Sequence, residues 1–471
     1  MTVATDNRRV VLGADGKPAT RLDYDAVESG KRRSAAVTSL KSEDEHLPPE
    51  KRKALVSTTR DLQRNFALAA WAIRKHLDYV SSFSFQAKTG VPEFDDSLEA
   101  LVRWWSRAKN IDVAARHPLR RMIRMAEERR TVDGDVFLMK LADGRIQAVE
   151  GDRVRNPLVA LPIEIDLKRL VQGVLMDEAG AAVAYAVNRR GSIGMMGFER
   201  FVAAENMIHH AYWGRFDQVR GISPLAPAIN AFRDLYEGMD YALAKIKVAQ
   251  LFGLVFYRES AESVGITMEA EESTDEAPKY DVDIGKGPVK LELEPGDRAE
   301  WLESKTPAGE TVVFLDKIVG LALKALDLPY SFHDESFTNF FGSRAALNHY
   351  LQSASSKRAD NQDVLDHLTL WRMRMWIDDG VLKVPAKARL EWDWIPRGLP
   401  WWNPVQEINA DVQAIAAGLN SRTRVCRERG ADVYEIIDEI ADENAYLKEK
   451  GLPVNVEPAN VQIVEIGNEG Q

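Results

Sequence analysis

The 471-residue chain holds a single cysteine, Cys426, so no internal disulfide is available and a thiolate zinc cluster is excluded. No stretch of about 18 apolar residues occurs, and the N-terminus lacks the short apolar core of a signal peptide, so neither a membrane span nor secretion is expected. Motifs for the commonest enzyme chemistries are missing too. There is no GxxxxGK[ST] loop, since residues 13–17 have neither its spacing nor its hydroxyl, and no HExxH pair or GxSxG elbow. A nucleotide-driven motor of the P-loop type is therefore excluded. An excess of positive charge is also absent: 62 Lys and Arg stand against 72 Asp and Glu, a formal net charge of −10. Neutralising phosphates is what gives a protein affinity for duplex DNA, so this chain repels nucleic acid on average unless its cations gather on one surface.

What is present is an ordinary globular composition, 45% hydrophobic and 28% charged, long enough for two or more compact units. Residues 1–53 are polar, with Tyr24 their only large aromatic, and read as an arm. Over residues 60–79, Leu62, Phe66, Ala69, Ala70, Ile73 and Leu77 recur at helical spacing and predict one buried helix. Between residues 134 and 204 the pattern changes to short alternating or β-branched runs separated by Asp-Gly and Ala-Gly turns, which predicts a small β-rich unit. Two amphipathic helices follow, over 224–250 and about 310–326, with strand-like runs at 251–257 and 289–293 between them. The segment 259–285 has nine acids against one Lys and reads as a solvated loop in preference to a docking surface for a basic partner.

Farther along, Leu328 and Pro329 interrupt helical pairing, residues 331–342 are irregular, and helix resumes over 343–368. Trp392, Trp394, Pro396, Pro400, Trp401, Trp402 and Pro404 form an aromatic and proline cluster. Its aromatics read as core packing in preference to stacking on bases, because only Arg397 is interleaved among them. Val405, Ile408, Val412, Ile415 and Leu419 alternate by three and four residues as a helix seam, with a partner helix over 433–447 and Cys426 buried between the two. The acidic tail after Pro453 is expected to fray.

Candidate chemistry is sparse. His209 and His210 are adjacent in a strand and so point to opposite faces, which argues against a shared metal. Asp133 with Asp135, and Glu391 with Asp393, suggest a nuclease's carboxylates, but no third ligand or base stands at a recognisable spacing. Turn and surface roles are expected for them. No catalytic, cofactor-binding or metal residue is assigned, and no cofactor is expected.

Five blocks occur in an order that resembles one known family. They are RDLQRN at 60–65, GRIQAVEGDR at 144–153, NMIHHAYWGRFDQVRGISPLAPAI at 206–229, LPY at 328–330 with SRAAL at 343–347, and NPVQEINA at 403–410 with GLNSR at 418–422 and residues 443–452. The third block is also readable by itself, with Arg220 and Gly221 supplying a turn, Ser223 a helix cap and Pro224 the first turn. Together the blocks resemble the lambda-like portal proteins of tailed bacteriophages. One departure is NFFGSR at 339–344, where the family usually has a Ser-Ser pair before Ala-Arg.

The resemblance implies an α+β portal fold with a β-rich wing, a two-helix stem, a small β-containing clip, a tunnel loop and a helical crown. The implied boundaries are 1–59 for the arm, 60–223 wing, 224–250 first stem helix, 251–309 clip, 310–327 second stem helix, 328–342 tunnel loop, 343–404 channel helix and wing return, and 405–471 crown. It implies a homo-oligomeric ring, a dodecamer, at one capsid vertex of a virion, assembled in the host cytoplasm. Double-stranded DNA passes through it non-specifically, and its partners are the major capsid protein, the large terminase and head-completion adaptor proteins. In the tunnel loop, His333, Asn339 and Arg344 are the candidates for phosphate contact, while Phe337, Phe340 and Phe341 are expected to anchor the loop on a neighbour. The alternative from another class is a metal-dependent nuclease of the packaging machinery; a third is a structural ring without DNA passage, for example in a prophage remnant or gene-transfer particle.

Overall fold

The computed structural model describes residues 40–158, 169–191, 196–251, 254–258, 297–301, 309–334, 340–398 and 403–453. The chain is a mixed helix and sheet protein. It opens with the short helix α1 (Glu43–His46), closed by a reciprocal capping box between Ser42 and Glu45, and continues into α2 (Pro49–Asn65) and α3 (Ala67–Val80). The expected single helix over 60–79 is thus two. The break is at Phe66, whose backbone is extended (φ −115°, ψ 110°) and whose ring packs edge-on against Phe232 and Tyr236. The expected arm is also shorter than 1–59, because α2 starts at Pro49 and Arg52 is already buried in the body.

Next come β1 (Phe83–Ala87), α4 (Pro92–Trp105), the single turn α5 (Ala108–Ile111) and α6 (Leu119–Asp133). The predicted β-rich region follows as β2 (Asp135–Lys140), β3 (Ile146–Glu150), β4 (Leu170–Val171), β5 (Val174–Met176), β6 (Ala182–Arg190), β7 (Met196–Ala203) and β8 (Met207–Ala211). β2 is central to a three-stranded antiparallel sheet, with Val136 opposite both Glu150 and His210, and β4 to β7 form a separate antiparallel meander. Phe137, Met139, Val149, Tyr185 and Val187 fill the core between the two sheets.

A 3-10 turn (Ala226–Ala228) leads into α7 (Ile229–Leu251), then β9 (Leu254–Arg258) pairs antiparallel with β10 (Asp297–Trp301), and α8 (Gly309–Leu323) returns beside α7. The expected strand at 289–293 and the acidic segment 259–285 lie outside the described residues. α8 ends in a 3-10 turn closed by Asp327 in the left-handed region (φ 60°), and α9 (Phe340–Asp378) runs for 39 residues, about 58 Å of helix. That exceeds the expected 343–368 because Thr369, Met373 and Trp376 continue its buried stripe beyond Leu368. β11 (Trp392–Pro396) then pairs with β1, bringing the C-terminal third back to the N-terminal body. As expected, Trp394 is core, its ring tilted against Phe85 with centroids 5.1 Å apart and its Nε1–H donating to Thr369 Oγ1, and Trp392 donates to Asp366; Pro400, Trp401 and Trp402 lie outside the described residues.

Two further cores explain the packing. One joins α2 and α3 to the first two turns of α7, the end of α8 and the start of α9 through Phe66, Ile73, Phe232, Leu323 and Tyr350. The other joins α4, α6, β11 and the far half of α9 through Leu98, Trp105, Ile123, Leu365 and Trp376.

The chain finishes with α10 (Pro404–Ala416), α11 (Arg422–Glu428) and α12 (Val433–Glu449), each with a side-chain N-cap, from Asn403, Ser421 and Asp432. The expected seam between α10 and α12 is not closed within one chain: Val405, Val412, Leu419 and Ile437 are all exposed. Cys426 is correspondingly half-buried on α11, not enclosed.

Candidate functional site

α6 must stop where β2 begins, and Gly134 makes the turn with φ +95°, a conformation that side-chain-bearing residues rarely adopt. This sharp corner sets Asp133 and Asp135 on either side of it, both buried. The expected turn is there, at Gly134, but the expected surface placement is wrong for both. A buried carboxylate without a partner costs several kcal/mol, so each is met by guanidinium groups from distant segments.

Asp135 receives Arg220 in a two-point fork, Nε to Oδ2 at 2.7 Å and Nη2 to Oδ1 at 3.0 Å, together with Arg52 at 2.9 Å and His209 at 3.3 Å. Burial alone would raise its pKa, but Arg220 and Arg52 hold it well below the usual carboxylate range. Arg220 also donates to the carbonyls of Val154, Gln172 and Gly151, so one side chain closes the ends of four segments. Burial lowers Arg52 to about 10 while its Nη1 donates to Gly221 O. Asp133 accepts a second fork from Arg60 of α2, at 2.8 and 2.6 Å, and Arg60 also reaches Asp152.

Three of the sequence blocks, RDLQRN, EGDR and QVRGIS, thus meet at one ionic junction. Close backbone approach completes it. Gly221 and Gly134 face each other so tightly that a Cβ on either would overlap the other's carbonyl. Ser223 lies between the junction and α7, its hydroxyl donating to Thr131 O and accepting from Leu225 N–H. It is not the expected helix cap, because the helix expected from 224 begins at Ile229, after a 3-10 turn whose N-cap is Leu225.

A second buried network lies nearly two turns back along α6, around Glu127. Glu127 binds His76 of α3, His210 of β8, Arg130 and Asn361 of α9, while Arg130 reaches Asp360 and lies 4.0 Å from the Tyr212 ring centre. Burial opposes ionisation, yet Arg130 and the two imidazoles hold Glu127 well below its usual range; His76 and His210 are pushed down by burial. His209 and His210 do point to opposite faces, the first stacked on Phe137 with centroids 4.3 Å apart.

Of the residues assigned to the tunnel loop, His333 and Arg344 have described surroundings, and these differ. His333 is exposed beside the edges of Trp71 and Tyr330, and Arg344 pairs with Glu407 of α10 at 3.3 Å, where Arg429 also binds. Phe337 and Asn339 lie outside the described residues, and Phe340 and Phe341 open α9. The nuclease's carboxylates are likewise engaged: Asp393 pairs with Lys88 and with Arg427, as Asp133 and Asp135 do with their arginines. Sequence reasoning missed Arg52, Glu127 and Arg130, and with them the run LRRMIRMAEERR over 119–130, whose density of arginine in an acidic chain was the available signal.

Residues 29–358 match the family described as "Phage portal protein, lambda family". The chain is 23% identical over 391 residues to a "Probable portal protein" of Halomonas phage phiHAP-1, spanning 76% of this chain and 73% of that one. Among solved structures it is similar to a chain from the virion of a native gene transfer agent particle (TM-score 0.47, 12% identity, 80% of this chain and 93% of the other). It is also similar to one from the neck of the native particle computed with C12 symmetry (TM-score 0.47, 13% identity, 80% and 93%). The nuclease alternative gains no support from these matches or from the paired carboxylates.

Proposed function

Because the chain belongs to the lambda family of phage portal proteins, we propose that it closes into a ring of about twelve copies at one capsid vertex and lets DNA enter during packaging and leave during ejection. The observation that carries this reading is the apolar surface one chain leaves open along its helices. On α7 and α8, Leu243, Phe314 and Leu321 are 49%, 64% and 63% exposed, and on α10 Val405 is 71% exposed. Large apolar side chains left open on helices in this way suit association surfaces, and a ring closes when two different faces of each subunit are complementary.

In this reading α7 and α8 form the stem, β9 and β10 belong to the clip, α10 to α12 form the crown, and the β2 to β8 sheets lie in the wing. The wing meets the major capsid protein, the clip docks the large terminase and then the head-completion adaptors, and residues 328–342 border the bore, with His333, Asn339 and Arg344 as the transient phosphate contacts. The buried junction around Asp135 and Arg220 has a mechanical role: it fixes the wing sheets to the base of α7 so that force on one is transmitted to the other. The net charge of −10 suits a bore through which duplex slides without being gripped. Electron microscopy of the purified full-length protein tests the reading. Hollow rings of about twelve subunits are expected, and a stable monomer or dimer under all assembly conditions sinks it.

A further inference from the structure

We propose that the surface formed by the end of α4, α5 and the start of α6 is a second contact site for duplex DNA, one that holds its phosphate backbone outside the tunnel loop. The proposal rests on the portal reading only for the identity of the polyanion.

In a chain of net charge −10, Arg103, Arg107, Lys109, Arg116, Arg120 and Arg121 are all exposed along one short stretch, and none forms an ion pair among the described residues. The fold draws them together. Leu119 N–H donates to Ser106 O at 2.9 Å, pinning the end of α4 to the start of α6, and Arg103 and Arg120 line one cleft of about 370 Å³. The acids nearby are already engaged. Asp112 accepts the N–H groups of Ala114, Arg116 and His117, Glu127 is buried on Arg130, and Glu128 holds Arg129. Within the cleft, Glu99 accepts Ala87 N–H, which leaves Glu435 of α12 as the exposed acid lining it.

The start of α6 adds an independent argument. This 15-residue helix has no acid in its first turn and no side-chain cap, yet Arg120 and Arg121 stand there, at the positive end of the helix dipole. Cations are disfavoured at that end, and an anion relieves both the dipole and the crowded guanidiniums. Five of the six cations are arginines, whose planar fork matches phosphate oxygens, and Trp104, 46% exposed, stands among them. Their placement on two helix ends and a connecting turn suits a broad, rigid phosphate backbone better than a threaded acidic peptide.

The test is fluorescence anisotropy of a labelled 30-base-pair duplex with the full-length protein, titrated between roughly 50 and 200 mM KCl, the range over which phosphate binding is most salt-sensitive. The quadruple variant R103Q/R107Q/R120Q/R121Q, confirmed as folded by circular dichroism, is expected to lose at least about tenfold in affinity at the low end. Its salt slope is expected to flatten by about 0.9 for every phosphate that the variant no longer neutralises. Affinity and slope equal to wild type, or no duplex binding by wild type at low salt, overturn the proposal. So does a poly-glutamate peptide that competes as well as the duplex, since the surface is then a protein-docking site. Absence of rings with patch-dependent DNA binding intact counts against the ring reading and not against this surface; rings whose DNA binding ignores the four arginines count against this surface alone.

Discussion

Arg220 and Asp135, 85 residues apart in sequence and both buried, are joined by two hydrogen bonds of 2.7 and 3.0 Å in a fork that also organises three backbone carbonyls. Removing one partner of such a pair leaves an uncompensated charge in the interior. Arg220→Ala is expected to cost about 3–5 kcal/mol, and Arg220→Lys, which keeps the charge but loses the fork, about 2 kcal/mol. Thermal denaturation of the purified variants measures both. A loss under about 1 kcal/mol for the alanine variant means the junction does not hold the β2 to β8 sheets to the segment leading into α7.

The same corner depends on two glycines. Gly221→Ala places a methyl group against the Gly134 carbonyl, where the opposing group is backbone and has no free side chain to move aside. The expected cost is about 3 kcal/mol or more, comparable to the larger core substitutions. Gly197→Ala, in β7 with ordinary backbone and open space around it, is the control and is expected to stay within about 0.5 kcal/mol of wild type. Equal melting temperatures for the two variants refute the close-packed corner.

Legibility in the sequence followed local physics. The strands β2, β3, β5 and β6 and the buried face of α7 at Ile229, Phe232 and Leu235 were readable, because period and turn residues are local signals. The break at Phe66 was not, since what extends the backbone there is a ring packing into α7, more than 160 residues away. The carboxylates at 133 and 135 were misread as surface groups for the same reason: their partners Arg52, Arg60 and Arg220 are set by tertiary structure. The family resemblance supplied the blocks without saying that three of them touch.

Stability is expected to fall on acidification, beginning near neutral pH. His76, His209 and His210 have folded pKa values lowered from 6.5 by burial, so the unfolded chain binds more protons than the folded one as pH drops below about 6.5. Stability contributed by their neutral form is present above that value and lost as pH falls towards the folded pKa. Asp135 and Glu127, with folded values well below 3.8 and 4.5, add a second loss beginning near those values and continuing as pH falls through the folded ones. Melting temperature measured from about pH 8 down to about pH 2 should therefore decline in two stages. Replacing His76 with Gln should flatten the first stage; a profile that is level down to pH 5 contradicts the assignment.

Assembly and folding should separate at the exposed helix faces. Phe314→Glu and Leu321→Glu change residues that one chain leaves open on α8, so each subunit should keep its helical content. Burying an unpaired carboxylate between copies is strongly unfavourable, so ring formation should be suppressed. Sedimentation velocity gives the reading: monomers with native circular dichroism are expected, and full rings from both variants would remove α8 from the interface.

Replacing Arg120 tests how the start of α6 is balanced. In the isolated chain this position sets a cation at a helix N-terminus that has no acid in its first turn, beside Arg121 and across the cleft from Arg103. Arg120→Glu reverses all three repulsions, so the variant should be more stable than wild type by about 0.3–1 kcal/mol at low salt, with the gain shrinking as salt is added. An acid at this position would also repel any phosphate. The same change should therefore stabilise the free protein while weakening duplex binding, opposite signs that a residue serving only the fold cannot produce. If Arg120→Glu lowers the melting temperature at every salt concentration, the arginine is structural and its strained placement has another cause.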